Sequence, residues 1–528
     1  MKSYFLFGSI FFISILRANN ISVSNVTLAG QNVSAGVNNA ANFTYIEFDL
    51  TWENSWRTSA SPNNWDAAWI FVKFRTVGGS TWNHVYLAPS GHNTSPTTPT
   101  TSYSVQVGLV NEGSAHNATS NPAVGAFIYR SANGSGTFTA QDIRLKWFYR
   151  DNGVGDNDII DVDVYAIEMV YVPDGTFSVG NNGSAGATIN RPFYKMGSPN
   201  TSYEITSEAS IASSGTGGSA GQLIYPEWGT NNLITIPGPF PKGHAGFYCM
   251  KYEASQQHWV DYLNSLTSAQ QANMPTTAMT RNGISSSAGV YSTSLPFVAM
   301  NGVYWPDVAA YLDWSGLRVM TEFEFEKACR GTATVVTDEF AWGNTTYTTH
   351  SNTTPTNAGL TNEVSAVSGA NTALGISNFG GTSPLRAGSF ATSSTTRSQS
   401  GATFYGIMDM TGNVCEQVAT TINYQGTVST YTGMHGNGLL TSSGYADVSN
   451  WPGLSSGFIS TAGLLASATA CRGGAWYLGS ANYGRVADRF WNTIDRTSGL
   501  STSRGDPQNY EKGVRGVHTK PITASETK

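Results

Sequence analysis

Charged side chains are scarce in this sequence. Asp, Glu, Lys and Arg make up 12% of its 528 residues, against roughly 25% in average soluble proteins. Ser, Thr, Asn and Gly take their place, which is typical of β-rich extracellular proteins. The net charge of −6 disfavours nucleic-acid backbones and anionic membranes as main partners. A hydrophobic content of 40% still predicts folded domains rather than disorder.

Cysteine is also rare. Cys249, Cys329, Cys415 and Cys471 are the only four, and they include no C-x-x-C pair. Neither a zinc knuckle nor a thioredoxin-like redox site is therefore indicated. Export would permit disulfides, and four cysteines allow three connectivities that sequence does not separate. Buried free thiols are an equal alternative.

Long apolar runs are missing after the first twenty residues. The run from Tyr4 to Leu16 follows Lys2 and is too short to span a bilayer. It fits the core of a signal peptide over residues 1–18, with cleavage after Ala18; a buried first strand or helix is the alternative. No later segment has about 18 uninterrupted apolar residues. The sequence predicts a secreted or cell-surface protein with no transmembrane segment.

Familiar catalytic and metal motifs are absent as well. The sequence has no G-x-S-x-G elbow, no P-loop and no G-x-G-x-x-G after a strand. Its eight histidines show no H-x-x-x-H-like spacing. One acidic run, Asp151 to Asp163, has the carboxylates that a hard cation needs, but its spacing matches no EF-hand loop. A solvated acidic hairpin is the favoured interpretation of that run.

Residues 19–165 alternate between apolar and polar side chains, and Asn-, Gly- and Ser-rich clusters separate the alternating segments. The pattern predicts strands over Tyr45–Trp52, Ala67–Arg75, Ser102–Val110 and Ile143–Arg150. No long amphipathic helix interrupts them. We expect a β-sandwich of about eight strands.

Residues 166–520 form a second region, followed by a tail at 521–528. Its Gly/Ser/Asn-rich part, residues 181–235, is aperiodic and is predicted to be a loop-rich insert. Three helices are predicted after it. The first has Ser255 as its N-cap, the second begins at Trp305-Pro306, and the third begins with the capping box Thr321–Glu324. The predicted fold class is therefore α+β and β-rich.

Several landmarks of this second region occur in a recognisable order. They are EMVYVPDGTFSVG, FYCMKYEASQQHWVDYLNSL, PFVAMNGVYWPDVAAYLDWSGLRVMTEFEFEKACRG, FAWGN, GIMDMTGNVCEQ, CRGGAW and EKGVRGVH. Together they resemble the formylglycine-generating enzyme (sulfatase-modifying factor) family, which has a C-type-lectin-like fold. Arg318, Glu322, Glu324 and Arg330 are expected to form charged pairs that hold such a loop-rich scaffold.

The resemblance implies one calcium site. In the family, a loop of the form N/D-x-x-G-N-x-W-E-W binds Ca²⁺ through two side chains and two main-chain carbonyls. The matching residues here are Asp409, Gly412, Val414 and Glu416. Oxygen-only ligation suits this hard cation. Cys415 and Gln417 replace the two tryptophans, and a loop held by ordinary hydrogen bonds is the alternative.

The resemblance also locates the family's copper-binding thiolate pair, which lies shortly after the paired glycines. Aligned from Gly473-Gly474, the two positions fall on Leu478 and Tyr483, and neither side chain can donate a thiolate. Cys471 lies upstream of the glycines. A Cys415–Cys471 pair is conceivable, and a disulfide between them is favoured over a metal site. Cys329 matches a disulfide position whose partner position is Val486.

These residues predict an exported, non-catalytic surface protein that binds a glycan or protein ligand, or assembles with itself. The expected contact surface lies within residues 477–506 and its flank, and the candidate ligand-binding residues are Trp476, Tyr477, Asn482, Tyr483, Arg485 and Arg489. Alternatively, these side chains line the fold's own polar groove. The competing hypothesis is a copper-dependent oxidase that converts protein cysteine to formylglycine, or a related thiol oxidase.

Overall fold

A computed structural model describes residues 21–92, 101–183, 191–198, 201–214, 219–224, 233–376, 381–422, 428–455, 457–459, 468–477, 480–489 and 511–522. Within these ranges the protein has the β-rich α+β fold that the sequence predicts. The predicted signal peptide lies outside them. None of the helices formed by the described residues is both long and apolar enough to cross a membrane.

The described residues up to Val172 form eight strands. They are β1 (Ser22–Asn32), β2 (Phe43–Arg57), β3 (Asp66–Thr76), β4 (Asn83–His84), β5 (Tyr103–Leu109), β6 (Ala123–Arg130), β7 (Gly134–Trp147) and β8 (Ile160–Val172). Strand β7 ends earlier than the predicted segment Ile143–Arg150, because the chain turns into a 3₁₀ helix at Tyr149–Asn152.

These strands make two layers, and we call β1–β8 the sandwich. Strands β1, β2 and β7 form a three-stranded layer that packs on β5, β6, β3 and β8. Strand β2 buries every second residue from Thr44 to Trp52, which is the alternation expected of a half-buried strand. Strand β3 is buried almost throughout, because Ile70 and its neighbours two residues away face the sandwich core while Trp69 faces a second core.

The remaining elements are short. The strands are β9 (Phe177–Val179), β10 (Tyr194–Lys195), β11 (Tyr203–Ile205), β12 (Ile211–Ser214), β13 (Leu223–Ile224), β14 (Leu233–Ile236), β15 (Phe247–Met250), β16 (Ile284–Ser287), β17 (Val290–Thr293), β18 (Arg318–Thr321), β19 (Glu416–Ala419), β20 (Leu454–Ser455), β21 (Phe458–Ile459), β22 (Thr469–Arg472) and β23 (Gly516–Thr519). The helices are α1 (Gln256–Asn264), α2 (Ser268–Gln271), α3 (Trp305–Trp314), α4 (Glu322–Arg330) and α5 (Arg397–Ser400).

The three predicted helices are confirmed as α1, α3 and α4. The Ser255 hydroxyl accepts a hydrogen bond from the His258 amide at the start of α1. At α4 the capping box is reciprocal: Thr321 Oγ1 accepts from the Glu324 amide at 3.2 Å, and the Thr321 amide donates to Glu324 Oε2 at 2.9 Å. Local capping chemistry therefore sets where these helices begin.

The insert at 181–235 differs from the loop that the sequence predicts. Its described residues include a small sheet in the order β10-β13-β12-β14, and β11 pairs with β9. These strands have two to four residues each. Segments that short give no periodic signal in the sequence.

One sheet joins the sandwich to the second region. Its main order is β22-β19-β18-β23-β15-β8-β3-β6-β5, so β8 pairs with β3 of the sandwich and with β15 of the second region. The predicted boundary at residue 165 falls inside β8. We call the contact between the sandwich and the second region the seam. Side-chain hydrogen bonds also cross it, including the one from Trp69 Nε1 to the Ser315 carbonyl at 2.8 Å.

The acidic run from Asp151 to Asp163 has a structural use. Asp156 accepts hydrogen bonds from the Asn38 amide at 2.6 Å and the Tyr149 hydroxyl at 2.9 Å, which ties two loops of the sandwich together. Among the described residues, no group of three or more His, Cys, Asp or Glu side chains is placed to hold a metal ion.

Candidate functional site

The segment 409–416 forms a tight loop that leads into β19. Asp409, Gly412 and Asn413 have positive φ angles of 58°, 87° and 58°. Gly412 has no room for a side chain, because a Cβ there would lie 2.3 Å from Thr372 Oγ1. Strand β19 then pairs with β22 in a register that places Glu416 opposite Arg472.

The buried side chain of Glu253 holds this loop by hydrogen bonds. Its carboxylate accepts hydrogen bonds from the Val414 amide at 2.9 Å and from the Asn413 side chain. The Gly412 amide donates to the Gly473 carbonyl at 2.9 Å. The main-chain amides of Gly412 and Val414 thus have acceptors, and these hydrogen bonds hold the loop in position.

The four predicted ligand positions of this loop carry oxygens with few donors. Glu416 Oε1 accepts from Arg515 Nε at 3.0 Å, whereas the buried Glu416 Oε2 has no hydrogen-bond partner. Within the described ranges, no donor reaches the main-chain carbonyls of Gly412 and Val414. Asp409 Oδ2 accepts from the Gly388 amide at 2.5 Å. Buried oxygens without donors are uncommon, and a set made only of oxygens fits a hard cation.

The charges around the loop are unbalanced. Burial raises the pKa of Glu416 to about 8, although Arg515 opposes this shift. Burial also raises the pKa of Asp409, and it raises that of Glu253 together with the repulsion from Asp409. Arg515 faces all three carboxyl groups and Arg386 faces Asp409, so carboxyl groups outnumber these cations, and a bound cation would favour the charged forms of the carboxyl groups.

Gly473 is required next to this loop. A Cβ at residue 473 would lie 2.6 Å from Glu416 Oε2 and 2.8 Å from the Met410 carbonyl. The residue has a φ of +82°, a conformation that favours glycine. The paired glycines thus permit the close approach of β22 to the loop.

No disulfide links the four cysteines, all of which lie among the described residues, so the favoured Cys415–Cys471 disulfide is not formed. Cys415 and Cys471 pack together with Ala475 and Tyr483. The hydrogen bond that the Cys415 thiol makes to Cys471, together with burial, raises the pKa of Cys415 well above its usual value. Cys329 is buried in the same core cluster as Val486, the position where the family has the partner cysteine.

Of the two positions that match the copper thiolates, Tyr483 can be placed and Leu478 lies outside the described residues. Tyr483 is half-buried on a 3₁₀ turn, Ala481–Gly484, whose first residue follows the capping residue Ser480. Its ring contacts the cluster that contains Cys415 and Cys471. A phenol therefore stands where a soft sulfur ligand would be needed.

Two of the predicted ligand-binding residues are built into the scaffold. Trp476 is 1% exposed and packs with Val414 and Phe390. Arg489 is fully buried, donates to Glu322 through Nε at 2.7 Å, and stacks over Phe193 at 4.2 Å. Neither side chain is available at the surface for a ligand.

The other four predicted residues are half-buried: Tyr477, Asn482, Tyr483 and Arg485. Arg485 donates to the Asp338 carbonyl and lies 4.8 Å from the centre of the Phe340 ring. Its Nε also donates to Asn482 Oδ1 at 3.4 Å. These side chains are held in place and remain partly accessible, whereas residues 490–506 of the predicted contact surface lie outside the described ranges.

The predicted charged pairs of the scaffold are confirmed. Arg318 pairs with Glu324 at 2.6 Å, and Arg330 pairs with Glu326 and Glu339, both at 2.7 Å. All of these side chains are at most 4% exposed. Buried pairs of this kind need additional hydrogen bonds to offset the cost of desolvation, and Arg330 makes two such bonds to the carbonyls of Ser178 and Gly180.

Comparisons with known proteins agree with these landmarks. A profile of the Sulfatase-modifying factor enzyme 1-like domain matches residues 239–500. Curated protein sequences give no significant match. Among solved structures, Treponema denticola variable protein 1 is 14% identical, with 67% of this chain and 96% of that chain covered and a TM-score of 0.31. By the profile match, residues 239–500 carry a domain of the formylglycine-generating enzyme (sulfatase-modifying factor) family.

Proposed function

We propose that this protein is an exported, non-catalytic surface protein that uses a formylglycine-generating-enzyme-like scaffold for binding or assembly. The observation that carries the proposal is the chemistry at the copper positions. Tyr483 and, by sequence, Leu478 replace the two thiolates, and a two-coordinate Cu(I) site cannot form without them. The scaffold around these positions is retained, with its buried ion pairs and paired glycines.

The proposed binding face is the 3₁₀ turn at Ala481–Gly484 with its neighbours Tyr477 and Arg485. Tyrosine and arginine are frequent at binding hot spots, since each offers a large contact area with a polar group. Here they project from a short segment that a buried scaffold supports, which limits the entropy lost on binding. We propose a surface glycan or a protein as the ligand, with self-assembly as the other use of this face.

We further propose that the loop of Asp409, Gly412, Val414 and Glu416 holds Ca²⁺. The support is the buried Glu416 Oε2, which has no hydrogen-bond partner, and the cluster of buried carboxyl groups around the loop. The ion would fix the loop that carries β19 and, through the Gly412–Gly473 hydrogen bond, the segment leading to the binding face. Its role would be structural, since every proposed ligand belongs to the protein.

The test is binding of the purified protein to an array of glycans and surface polymers, with Ca²⁺ or with EDTA. We expect at least one ligand whose binding falls at least tenfold in Tyr477→Ala and Asn482→Ala. Tyr45→Ala, in a half-buried position on the sandwich, is the matched control and should bind normally. No hit on the array, together with no self-association by sedimentation, would contradict the proposal. Export is checked by N-terminal sequencing of the secreted form, with a start after Ala18 expected.

A thiol oxidase is the second candidate, and the contact between Cys415 and Cys471 beside Tyr483 is the observation that favours it. It requires stoichiometric Cu(I) in the purified protein and O₂ consumption with a thiol peptide. Loss of both in Cys471→Ser, with unchanged folding, would establish it. Absence of copper and of O₂ consumption in the wild type rejects it.

A further inference from the structure

Three charged residues with complementary chemistry meet at the seam between the sandwich and the second region. Asp66 begins β3, Glu168 lies in β8, and Lys251 directly follows β15. These strands are neighbours: β8 places Glu168 opposite Ala68 of β3 and Met169 opposite Met250 of β15. All three side chains are buried, with exposures of 0%, 4% and 2%.

The amine of Lys251 lies between the two carboxyl groups. Its Nζ donates to Glu168 Oε2 at 2.9 Å and is 3.5 Å from Asp66 Oδ2. Aromatic rings surround it, with the Trp56 ring centre at 4.9 Å and the Tyr252 ring centre at 5.4 Å. The site is therefore buried, and it holds the Lys251 ammonium beside a carboxylate oxygen of Asp66.

Asp66 is fixed by donors on both of its oxygens. Trp52 Nε1 donates to Oδ2 at 2.8 Å, while Ser55 Oγ and the Trp56 amide donate to Oδ1, both at 2.9 Å. Donors positioned in this way stabilise negative charge that develops on the oxygens of a carboxyl group under attack. They also prevent Asp66 from rotating away from Lys251.

We propose that Lys251 and Asp66 join in an intramolecular amide bond between Nζ and Cγ, with Glu168 as the group that transfers protons. This is an additional, self-directed activity that does not depend on the proposed binding function. It requires no oxidant, reductant or external co-reactant.

The steps balance within the three residues. Glu168 takes a proton from the Lys251 ammonium along their 2.9 Å hydrogen bond and passes it to an oxygen of Asp66. The neutral amine then attacks Asp66 Cγ. Glu168 removes a second proton from the nitrogen and delivers it to the departing oxygen. One C–N bond forms, one C–O bond breaks, one water leaves, and Glu168 returns to its starting form.

Burial favours these proton transfers at the two carboxyl groups. It raises the pKa of Glu168 to about 7 and also raises the pKa of Asp66. Burial alone would lower the pKa of Lys251, but Glu168 and the other neighbours raise it, so the resting state is an ion pair. The first proton transfer therefore has to act against this ion pair.

The environment also favours the product. The reaction removes two charges from a site where charges are costly, because the amide is neutral and the water leaves for bulk solvent. Glu168 Oε1 has no hydrogen-bond partner, so this carboxyl can exchange a proton without breaking another contact. The bond would link β3 covalently to the end of β15.

Intact mass spectrometry of the purified, denatured full chain tests the proposal. We expect the wild type to weigh one water less than its sequence, and proteolysis to yield one branched peptide containing Asp66 and Lys251. Lys251→Arg and Glu168→Gln should keep their full sequence mass. Asp66→Asn should lose ammonia instead of water, and its mass should then equal that of the wild-type product, since both give the same amide.

Asp161→Asn is the matched control, because Asp161 pairs with Arg75 in the same sheet at a partly exposed position. This variant should still lose one water. A folded wild-type chain that retains its full sequence mass overturns the proposal, whatever the variants show. A water loss that persists in Lys251→Arg also overturns it.

Discussion

In the sandwich, two layers of long strands bury a continuous apolar core, and the ion pairs Arg75–Asp161 and Arg144–Glu47 lie at its surface. In the second region, strands of two to four residues alternate with long loops, and the ion pairs of Arg318, Arg330, Arg472 and Arg489 are buried. Where loops dominate, hydrogen bonds from side chains take the place of the main-chain hydrogen bonds between strands. The difference shows how one chain stabilises regular and irregular backbone by different interactions.

Removal of one buried cation should have the largest effect. Arg472 donates to Glu326 at 2.7 Å and to the Val486 carbonyl at 2.6 Å. Arg472→Met leaves Glu326 and Glu322 without this partner, so the free energy of unfolding should fall by about 3–5 kcal/mol. The matched sandwich variant, Arg144→Met, should lose less than about 1 kcal/mol, because its pair is exposed. Urea denaturation measures both, and equal losses would break the comparison.

Calcium should stabilise the protein through the loop of Asp409 and Glu416 and not through the acidic run that contains Asp156. Saturation at about a hundred times Kd should stabilise the protein by about 2.7 kcal/mol, seen as a rise in the melting temperature between EDTA and Ca²⁺. Asp409→Asn and Glu416→Gln should abolish that rise. Asp156→Asn should retain it, because the Asp156 carboxylate is already occupied by donors from the sandwich. A rise that survives both loop variants would contradict a site at Asp409 and Glu416.

The free energy of unfolding should fall in acid because of a buried histidine pair at the seam. His435 and His518 stack with ring centres 3.6 Å apart, and burial lowers the pKa of His518 to about 3. The unfolded chain binds a proton at this histidine near pH 6.5, so stability is lost as the pH falls from about 6.5 toward 3, by about 1.4 kcal/mol per unit.

His518→Phe should remove that part of the slope while keeping the stacked ring. The measurement is the difference in unfolding free energy between wild type and variant across this pH range. The difference is needed because burial raises the pKa of carboxyl groups such as Glu511 to about 8, and these have the opposite effect in both proteins. Parallel pH profiles would show that His518 does not contribute.

Apolar packing should be the property that the two regions share. Ile46 in the sandwich and Ile407 in the second region are both fully buried. Ile46→Val and Ile407→Val should each cost about 0.5–1.5 kcal/mol in urea denaturation. Val37→Ala, at a site that is 85% exposed, should be neutral. A cost at only one of the two isoleucines would mean that the cores differ in packing as well as in charge.

The sequence predicted the features that local chemistry determines. Alternation predicted β2, and capping residues predicted the starts of α1 and α4. The calcium loop stays a prediction, and the roles of Glu253 and Arg515 beside it were missed, although both lie in motifs that the resemblance had marked. Their contacts with the loop span 160 and 99 positions of the chain, and no local pattern encodes contacts at that separation.

The seam was the other feature beyond reach of the sequence. Asp66, Glu168 and Lys251 are each unremarkable where they occur in the chain, and only the pairing of β3, β8 and β15 brings them together. The small sheet in the insert was missed for a different reason, because its strands are too short to show a period.

Strand β8 has a consequence for how such proteins can be recombined. Val164 and Ala166 belong to the core of the sandwich, whereas Val170 and Val172 belong to a core of the second region. A cut anywhere in this strand exposes the hydrogen-bonding edge of β3 or of β15, and such edges promote aggregation. A graft of either region onto another protein must therefore carry β8 with it.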